Sequence, residues 1–283
     1  MIKEINNSVI TADNIILEDN CYIGQNVRIN VRGTFKLGRC SVILDNCTIN
    51  CEEFSSGEYL FMSKNVEIGR GGCQNPEAIV TIGKGVGIFE DVIINPNSPI
   101  TIGDYTGIGS EVMIWSHGAW LDITQGYPAD FGPITIGSNV WLPARCIMLP
   151  NTSIGDNTVI GIGSTITKSI PSNCMAAGTP CKVLKQNCYP KTLTDNELSQ
   201  LIDPILERWL AVLTPQKNIK TVTHLEFNNI TKDITLNQGN NSTIYNVTNK
   251  TITGYNNEVT EDLRDFLRRN GIKFFTGNPF KSI

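Results

Sequence analysis

The 283 residues contain only two histidines, His117 and His224, and they stand in unlike surroundings. His117 lies in Trp115-Ser116-His117-Gly118-Ala119-Trp120. An imidazole titrates near neutrality, so a positioned histidine can take a proton from a hydroxyl or an amine as general base. A lone histidine is by default a surface group or a satisfied hydrogen-bond partner. Four features weigh against that default for His117: histidine is otherwise almost absent, His117 interrupts a regular repeat, Gly118 leaves room for close approach, and Trp115 and Trp120 are expected to wall a pocket. His224 falls in a predicted tail strand and is expected to be structural. A metal enzyme with three histidine ligands needs one more histidine than the chain has, so that reading is rejected.

The elements that must position His117 follow from a six-residue period. An apolar residue, usually followed by Gly, recurs at Ile102, Ile108 and Ile114, then at Ile136, Leu142, Met148, Ile154, Ile160 and Ile166. This period fits neither a helix nor a plain strand, but matches hexapeptide β-helix repeats, over residues 1–184. Each hexad should form one short strand and one turn, with the apolar residue inward and the following Gly taking the corner. A small inward residue precedes it by two positions, as at Val80, Val112, Cys146, Thr158 and Ser164.

Three hexads should close one triangular turn. The inward residues then group as Leu17, Ile23, Ile29; Leu37, Ile43, Ile49; Ser56, Met62, Ile68; Ile82, Ile88, Ile94; Ile102, Ile108, Ile114; Ile136, Leu142, Met148; and Ile154, Ile160, Ile166. Ser56 fits poorly. The insertions after Ile29, Ile68, Ile94 and Ile114 all fall at the end of a turn. Segments 69–79, 95–99 and 116–133 should therefore leave the prism at one corner and stack there, and such insertions often build a solenoid's binding site. The coil is expected to stop near Ser169-Ile170-Pro171, followed by Ala176–Val183, a Gly/Pro turn leading into a last short extended segment.

Residues 189–283 lack the period and read as a small α+β domain of unknown role, against 1–188 for the β-helix. Thr194-Asp195-Asn196-Glu197 is a capping box. Asp203-Pro204 should end that helix and cap a second, with Ile205, Leu206, Trp209, Leu210 and Leu213 on one face. Strands are expected at 221–227, 230–236, 243–247 and 272–275, and a helix capped by Thr260 and stopped by Gly271.

Composition narrows the function classes. Net charge is −4, which gives no diffuse basic face for nucleic acid. No stretch approaches the ~18 apolar residues of a membrane span, and the first residues lack a signal-peptide pattern. Nine cysteines without a CxxC pair read as reduced and buried, so a cytoplasmic location is expected.

The runs Ile134-Thr-Ile-Gly-Ser-Asn-Val-Trp-Leu-Pro-Ala-Arg, Leu149-Pro-Asn-Thr-Ser-Ile-Gly-Asp-Asn-Thr-Val-Ile-Gly-Ile-Gly-Ser-Thr-Ile-Thr-Lys168 and Ala177-Gly-Thr-Pro-Cys-Lys-Val resemble the hexapeptide-repeat acetyltransferases. Maltose, galactoside and polysaccharide O-acetyltransferases are the most similar. The resemblance is strong over 80–185, fair over 1–79 and absent over 189–283. It implies a mainly β fold, a left-handed parallel β-helix, in a homotrimer with active sites between neighbouring subunits. It also implies acetyl-CoA as cosubstrate, no metal, and a sugar or glycan acceptor.

Residue by residue, the resemblance puts the family's catalytic histidine on His117. The backbone N–H that faces the thioester carbonyl falls on Ala144, and a pantetheine contact on Ile162. The nucleotide end of coenzyme A would meet Thr167 and Lys168, with a further basic residue at Lys182. Trp141 would cover apolar surface near the thioester; plain packing against the coil is its bland alternative, and ordinary solvation is that of the two lysines. The sequence departs from the family at Pro143, usually Gly, and at Ile162, usually small. Glu90, Asp91 and Asp122 are candidates to orient the histidine. Transfer to an amino sugar, using the same base and donor site, is the alternative reaction, and a non-catalytic scaffold is the alternative class.

Overall fold

The computed structural model describes residues 1–71, 73, 75–216 and 221–280, without the side chains of 213–216, so Leu213 lies outside the described side chains. The chain forms two compact units, Met1–Pro190 and Lys191–Ile283.

The first unit is a left-handed parallel β-helix. Its inward residues stack in three sheets as the hexad count requires. Leu17, Leu37, Ser56, Ile82, Ile102, Ile136 and Ile154 lie along sheet 1; Ile23, Ile43, Met62, Ile88, Ile108, Leu142 and Ile160 along sheet 2; Ile29, Ile49, Ile68, Ile94, Ile114, Met148 and Ile166 along sheet 3. Successive members pair directly, for example Ile88 with Ile108, Ile108 with Leu142, and Ile94 with Ile114. The small residues two positions earlier are also buried, and they fill the narrow prism between the large ones. Ser56 is buried in the same column and its hydroxyl accepts from Gly38 N (3.2 Å), so a polar residue is tolerated there.

The corners work differently from the sequence expectation. Apart from Gly69 (φ 83°), the Gly after the apolar residue does not adopt the left-handed turn conformation. That conformation falls two residues later, on Asn46, Asn65, Tyr105, Asn139, Arg145 and Asn157, with φ between 54 and 60°. Asparagine tolerates it best among the residues with a side chain, hence the asparagine-rich corners. Corner asparagines also form ladders, Asn7 to Asn26 to Asn46 to Asn65 and on to Asp91. The glycines serve coil stacking: a Cβ on Gly103 would lie 2.6 Å from backbone atoms of Gly137 and Ser138.

The strands Ile2–Ile5 and Ser8–Thr11 form an antiparallel hairpin at one end of the coil. At the other end the coil continues past Ile170, contrary to expectation. Ile170 bridges to Ile154, Met175–Ala177 adds to sheet 2, and Lys182–Lys185 returns antiparallel to it. All nine cysteines stand outside any disulfide, and eight are buried. Burial pushes the Cys47 and Cys51 thiols up to about 11 and about 12, which keeps them protonated and unreactive.

The second unit packs helices α1 (Asp195–Gln216) and α2 (Glu258–Arg269) with an antiparallel four-stranded sheet, His224–Asn228, Asp233–Gln238, Asn241–Asn246 and Thr251–Gly254. Thr194 and Glu197 form the expected capping box. Pro204 does not end α1, because burial of Ile202, Leu206 and Trp209 outweighs the one backbone bond that proline removes. Asn257, not Thr260, caps α2; Thr260 is the return member of that capping box. The strand Thr251–Gly254 was not expected, and 272–275 is not a strand, although Phe274 is buried against the sheet. Among the described residues, no helix is long and apolar enough to cross a membrane.

Candidate active site

The four insertions all leave the coil between sheet 3 and sheet 1, and they bond to one another along that corner. The Arg32 guanidinium donates to the carbonyls of Cys73 (3.1 Å) and Asn75 (3.2 Å). Asn75 donates to the Asn97 side chain at 3.3 Å. The amides of Asn97 and Ser98 donate to Ser116 Oγ at 2.7 and 3.0 Å, and Ser116 Oγ donates to Asn95 O at 3.1 Å. Ser116 is fully buried, so the backbone entering His117 is fixed.

His117 opens a small hairpin inside the longest insertion. His117–Gly118 pairs antiparallel with Asp130–Phe131, and His117 sits opposite Phe131. The two rings stack at 6.2 Å and 16°, with Trp115 6.0 Å away on a tilted plane. Gly132 N donates to Ser116 O (3.0 Å), and Asn151 on the next coil donates to Phe131 O (3.0 Å), which pins the hairpin's return strand. The resulting open cleft of about 480 Å³ is lined by Trp115, His117, Asp130, Pro150, Asn151 and Thr167, among others. Desolvation holds the imidazole pKa below its ordinary value, so the ring is neutral at pH 7 and can accept a proton. His117 Nδ1 is buried and has no partner among the described residues.

The flanking residues divide. Trp115 walls the cleft, whereas Trp120 is 95% exposed and does not. A Cβ on Gly118 would meet nothing within 4 Å, so this glycine makes no close approach within the chain. None of the three acidic candidates bonds to His117: Glu90 accepts from Ser63 and Ser110, Asp91 from Asn65, and Asp122 caps the short turn Ile123–Gln125. Phe131, Asp130 and Asn151 were missed in the sequence. Nothing local marks the first two, because the hairpin pairing is not encoded in the period; Asn151 follows from counting one coil onward from the insertion.

The other predicted residues fall on two corners. Thr167 and Lys168 follow the last strand of sheet 3 and so share the corner of His117, with Thr167 in the cleft. Ala144 and Ile162 stack at the corner between sheets 2 and 3, where Gly163 N donates to Ala144 O at 3.0 Å. Lys182 pairs with Ala177 at that corner's end of sheet 2. Trp141 lies outward on sheet 2, edge-on to Phe89 at 6.4 Å and directly over Gly107, where a Cβ would touch its ring at 2.7 Å. Ala144 precedes a strand of sheet 3 that Trp115 and His117 follow one coil earlier, so the two sites are roughly 15 Å apart in one chain.

At the same place in the hexad some amides donate to a carboxylate or hydroxyl from the adjacent coil: Gln25 N to Asp45 (2.8 Å) at the corner of Ala144, and Lys84 N to Asp104 (2.7 Å), Asp104 N to Ser138 (3.1 Å) and Ser138 N to Asp156 (2.7 Å) at the corner between sheets 1 and 2. Above Ala144 the equivalent residue is Ile162, 74% exposed, which has no acceptor to offer. Coil stacking thus leaves the Ala144 N–H uncapped by the side chain above it.

Residues 133–168 match the family model described as bacterial transferase hexapeptide (six repeats). The galactoside O-acetyltransferase of Escherichia coli (strain K12) is 54% identical over 54 residues, which are 19% of this chain and 27% of that protein. The match thus spans about a quarter of that relative's length. A polysialic acid O-acetyltransferase has the same fold at 17% identity, with a TM-score of 0.51 over 69% of this chain and 94% of its own. The resemblance to the hexapeptide-repeat acetyltransferases read from the sequence is borne out by these matches.

Proposed function

We propose that this chain is an acetyl-CoA-dependent O-acetyltransferase acting on a sugar or glycan hydroxyl. The observation that carries this reading is the desolvated, neutral His117 in an open cleft at the stacked insertions. His117 takes the proton of the acceptor hydroxyl as its oxygen attacks the thioester carbonyl carbon. The oxyanion is met by the uncapped N–H of Ala144, a rigid donor that needs no reorganisation. The C–S bond then breaks, the acetyl ester forms, and the coenzyme A thiolate leaves and is protonated. Trp141, Ile162, Thr167, Lys168 and Lys182 are assigned to coenzyme A, the lysines to its phosphates.

Ala144 and His117 stand at different corners of adjacent coils, roughly 15 Å apart, so one chain does not bring both to one carbonyl. A second copy must place its Ala144 corner against the His117 cleft, which is the reason to propose a homotrimer with sites between subunits. The match to a galactoside O-acetyltransferase favours oxygen over nitrogen as the acceptor atom. The cleft adds no argument for an amine: its one carboxylate, Asp130, is equally able to accept from a sugar hydroxyl. The test is incubation of the purified protein with labelled acetyl-CoA and a panel of sugars, amino sugars and glycans. Label in an alkali-labile ester supports the reading. Label only in amide, or in no acceptor, overturns it.

A further inference from the structure

The second unit has polar surface chemistry that the acetyl transfer does not use. At one end of its sheet three segments meet: the hairpin turn after Gln238, the stretch before His224, and the link from Gly254 to α2. They enclose an open depression of about 440 Å³, lined by Thr221, Thr223, Gln238, Asn241, Tyr255 and Asn257. Tyr255 is 44% exposed and also lines a neighbouring depression of about 310 Å³, with Lys250, Ile252, Thr253, Asn256, Glu261 and Phe275. Gln238 is held by Nε2 donating to Thr221 Oγ1 (3.0 Å), while its buried Oε1 has no partner among the described residues. Backbone bonds fix the tyrosine's place: Tyr255 N donates to Ser242 O (2.9 Å), and Thr243 Oγ1 donates to Tyr255 O.

The composition selects the ligand. Among the described residues, no acidic or basic side chain lines the larger depression, which leaves no counter-charge there for a phosphate, a carboxylate or a nucleotide. Among the described residues its lining also has no aliphatic side chain, which argues against an acyl chain or an apolar peptide anchor. What remains is a set of amides and hydroxyls, each able to donate and accept, beside one half-exposed aromatic ring. A neutral pyranose presents that complement: hydroxyls around its rim and C–H groups on its face. The volume lies within the range of about 300–1,000 Å³ usual for small-ligand sites.

We infer that the second unit carries a binding site for a neutral oligosaccharide, with Tyr255 as the stacking platform and Gln238 and Asn241 as hydroxyl partners. Tyr255 also lines the neighbouring depression, which adds Thr253 and Asn256 as further hydroxyl and amide partners beside the opposed charges of Lys250 and Glu261, so a chain of sugars can continue across the ring. This inference goes beyond the proposed acetyl transfer and does not depend on it.

The experiment is saturation-transfer NMR and calorimetry on the full chain with maltohexaose, cellohexaose, xylohexaose and mannohexaose. At least one is expected to bind, with contacts strongest at ring C–H protons. Tyr255→Ala should weaken that binding about tenfold or more, and Tyr255→Trp should retain it, because the aromatic face is what acts. Gln238→Ala should weaken it less. His117→Ala should leave it unchanged. Melting curves establish that each variant is folded. The inference is overturned if none of the four probes binds at concentrations up to about 10 mM. It also falls if the folded Tyr255→Ala and Gln238→Ala proteins bind as the parent does, or if His117→Ala abolishes binding, which would place the sugar at the coil.

Discussion

Replacing Ile162 by aspartate should silence the proposed oxyanion donor without touching the base. In the coil, an aspartate at this place in the hexad caps the amide of the adjacent coil, as Asp45, Asp104 and Asp156 do at 2.7–2.8 Å. Each stands immediately before a residue in the left-handed region, Asn46, Tyr105 or Asn157, and Ile162 stands likewise before Gly163. The aspartate in Ile162→Asp therefore has the backbone geometry to accept from Ala144 N–H. Loss of one oxyanion donor costs about 10²–10³ in kcat. Ile162 is exposed, so no core burial is lost, and the new charge-assisted bond adds about 1.5–3 kcal/mol of stability at most. The expected pattern is unusual: kcat falls steeply while the melting temperature holds or rises. Ile162→Ala, which leaves the amide open, should retain most of the activity. The assay is steady-state acetyl transfer to the best sugar acceptor, varying acetyl-CoA, alongside thermal melts. If Ile162→Asp keeps kcat within about threefold of the parent, or changes only KM for acetyl-CoA, Ala144 N–H is not the oxyanion donor.

Further expectations follow from the same geometry. Desolvation depresses the His117 pKa, so kcat/KM should fall as pH drops, with its acid limb centred below the ordinary histidine value; a limb at or above about 6.5 would contradict this. The linked stability has the same sign: between the depressed folded pKa and the unfolded one, the unfolded chain binds more protons, so stability falls as pH falls through that window. Gly103→Ala should destabilise the coil by about 1–3 kcal/mol, because its Cβ meets backbone of the adjacent coil; thermal melting reads it, and an unchanged melt refutes the stacking argument. Asn257→Ala should cost about 1 kcal/mol through loss of the α2 cap, seen in denaturant unfolding of the second unit.

The architecture of the coil was legible because one period encodes it. An inward residue every sixth position, with a small partner two before it, fixes three sheets and their register, and even the poor match at Ser56 falls in the right column. The shared corner of the insertions followed from the same count. Chemistry that depends on the next coil was less visible. The corner glycines looked like turn residues, but their spacing cannot distinguish a positive φ from the close approach of Gly137 to Gly103. The uncapped Ala144 amide could have been read, since Ile162 offers no acceptor, whereas Asp45 at the same corner caps the amide of Gln25. The His117–Phe131 pairing could not, because it is made inside an insertion that has no repeat. In the second unit local signals competed with packing. Pro204 reads as a helix end, yet the buried face of Ile202, Leu206 and Trp209 carries α1 through it.

The central claim is that His117 removes the acceptor proton. The direct test is kcat/KM for acetyl transfer from acetyl-CoA to a sugar hydroxyl by His117→Ala, with oligomeric state and melting temperature measured on the same sample. A loss of about 10²–10⁴ with assembly and stability unchanged is the predicted result. Transfer at the parent's rate by the folded variant would contradict it.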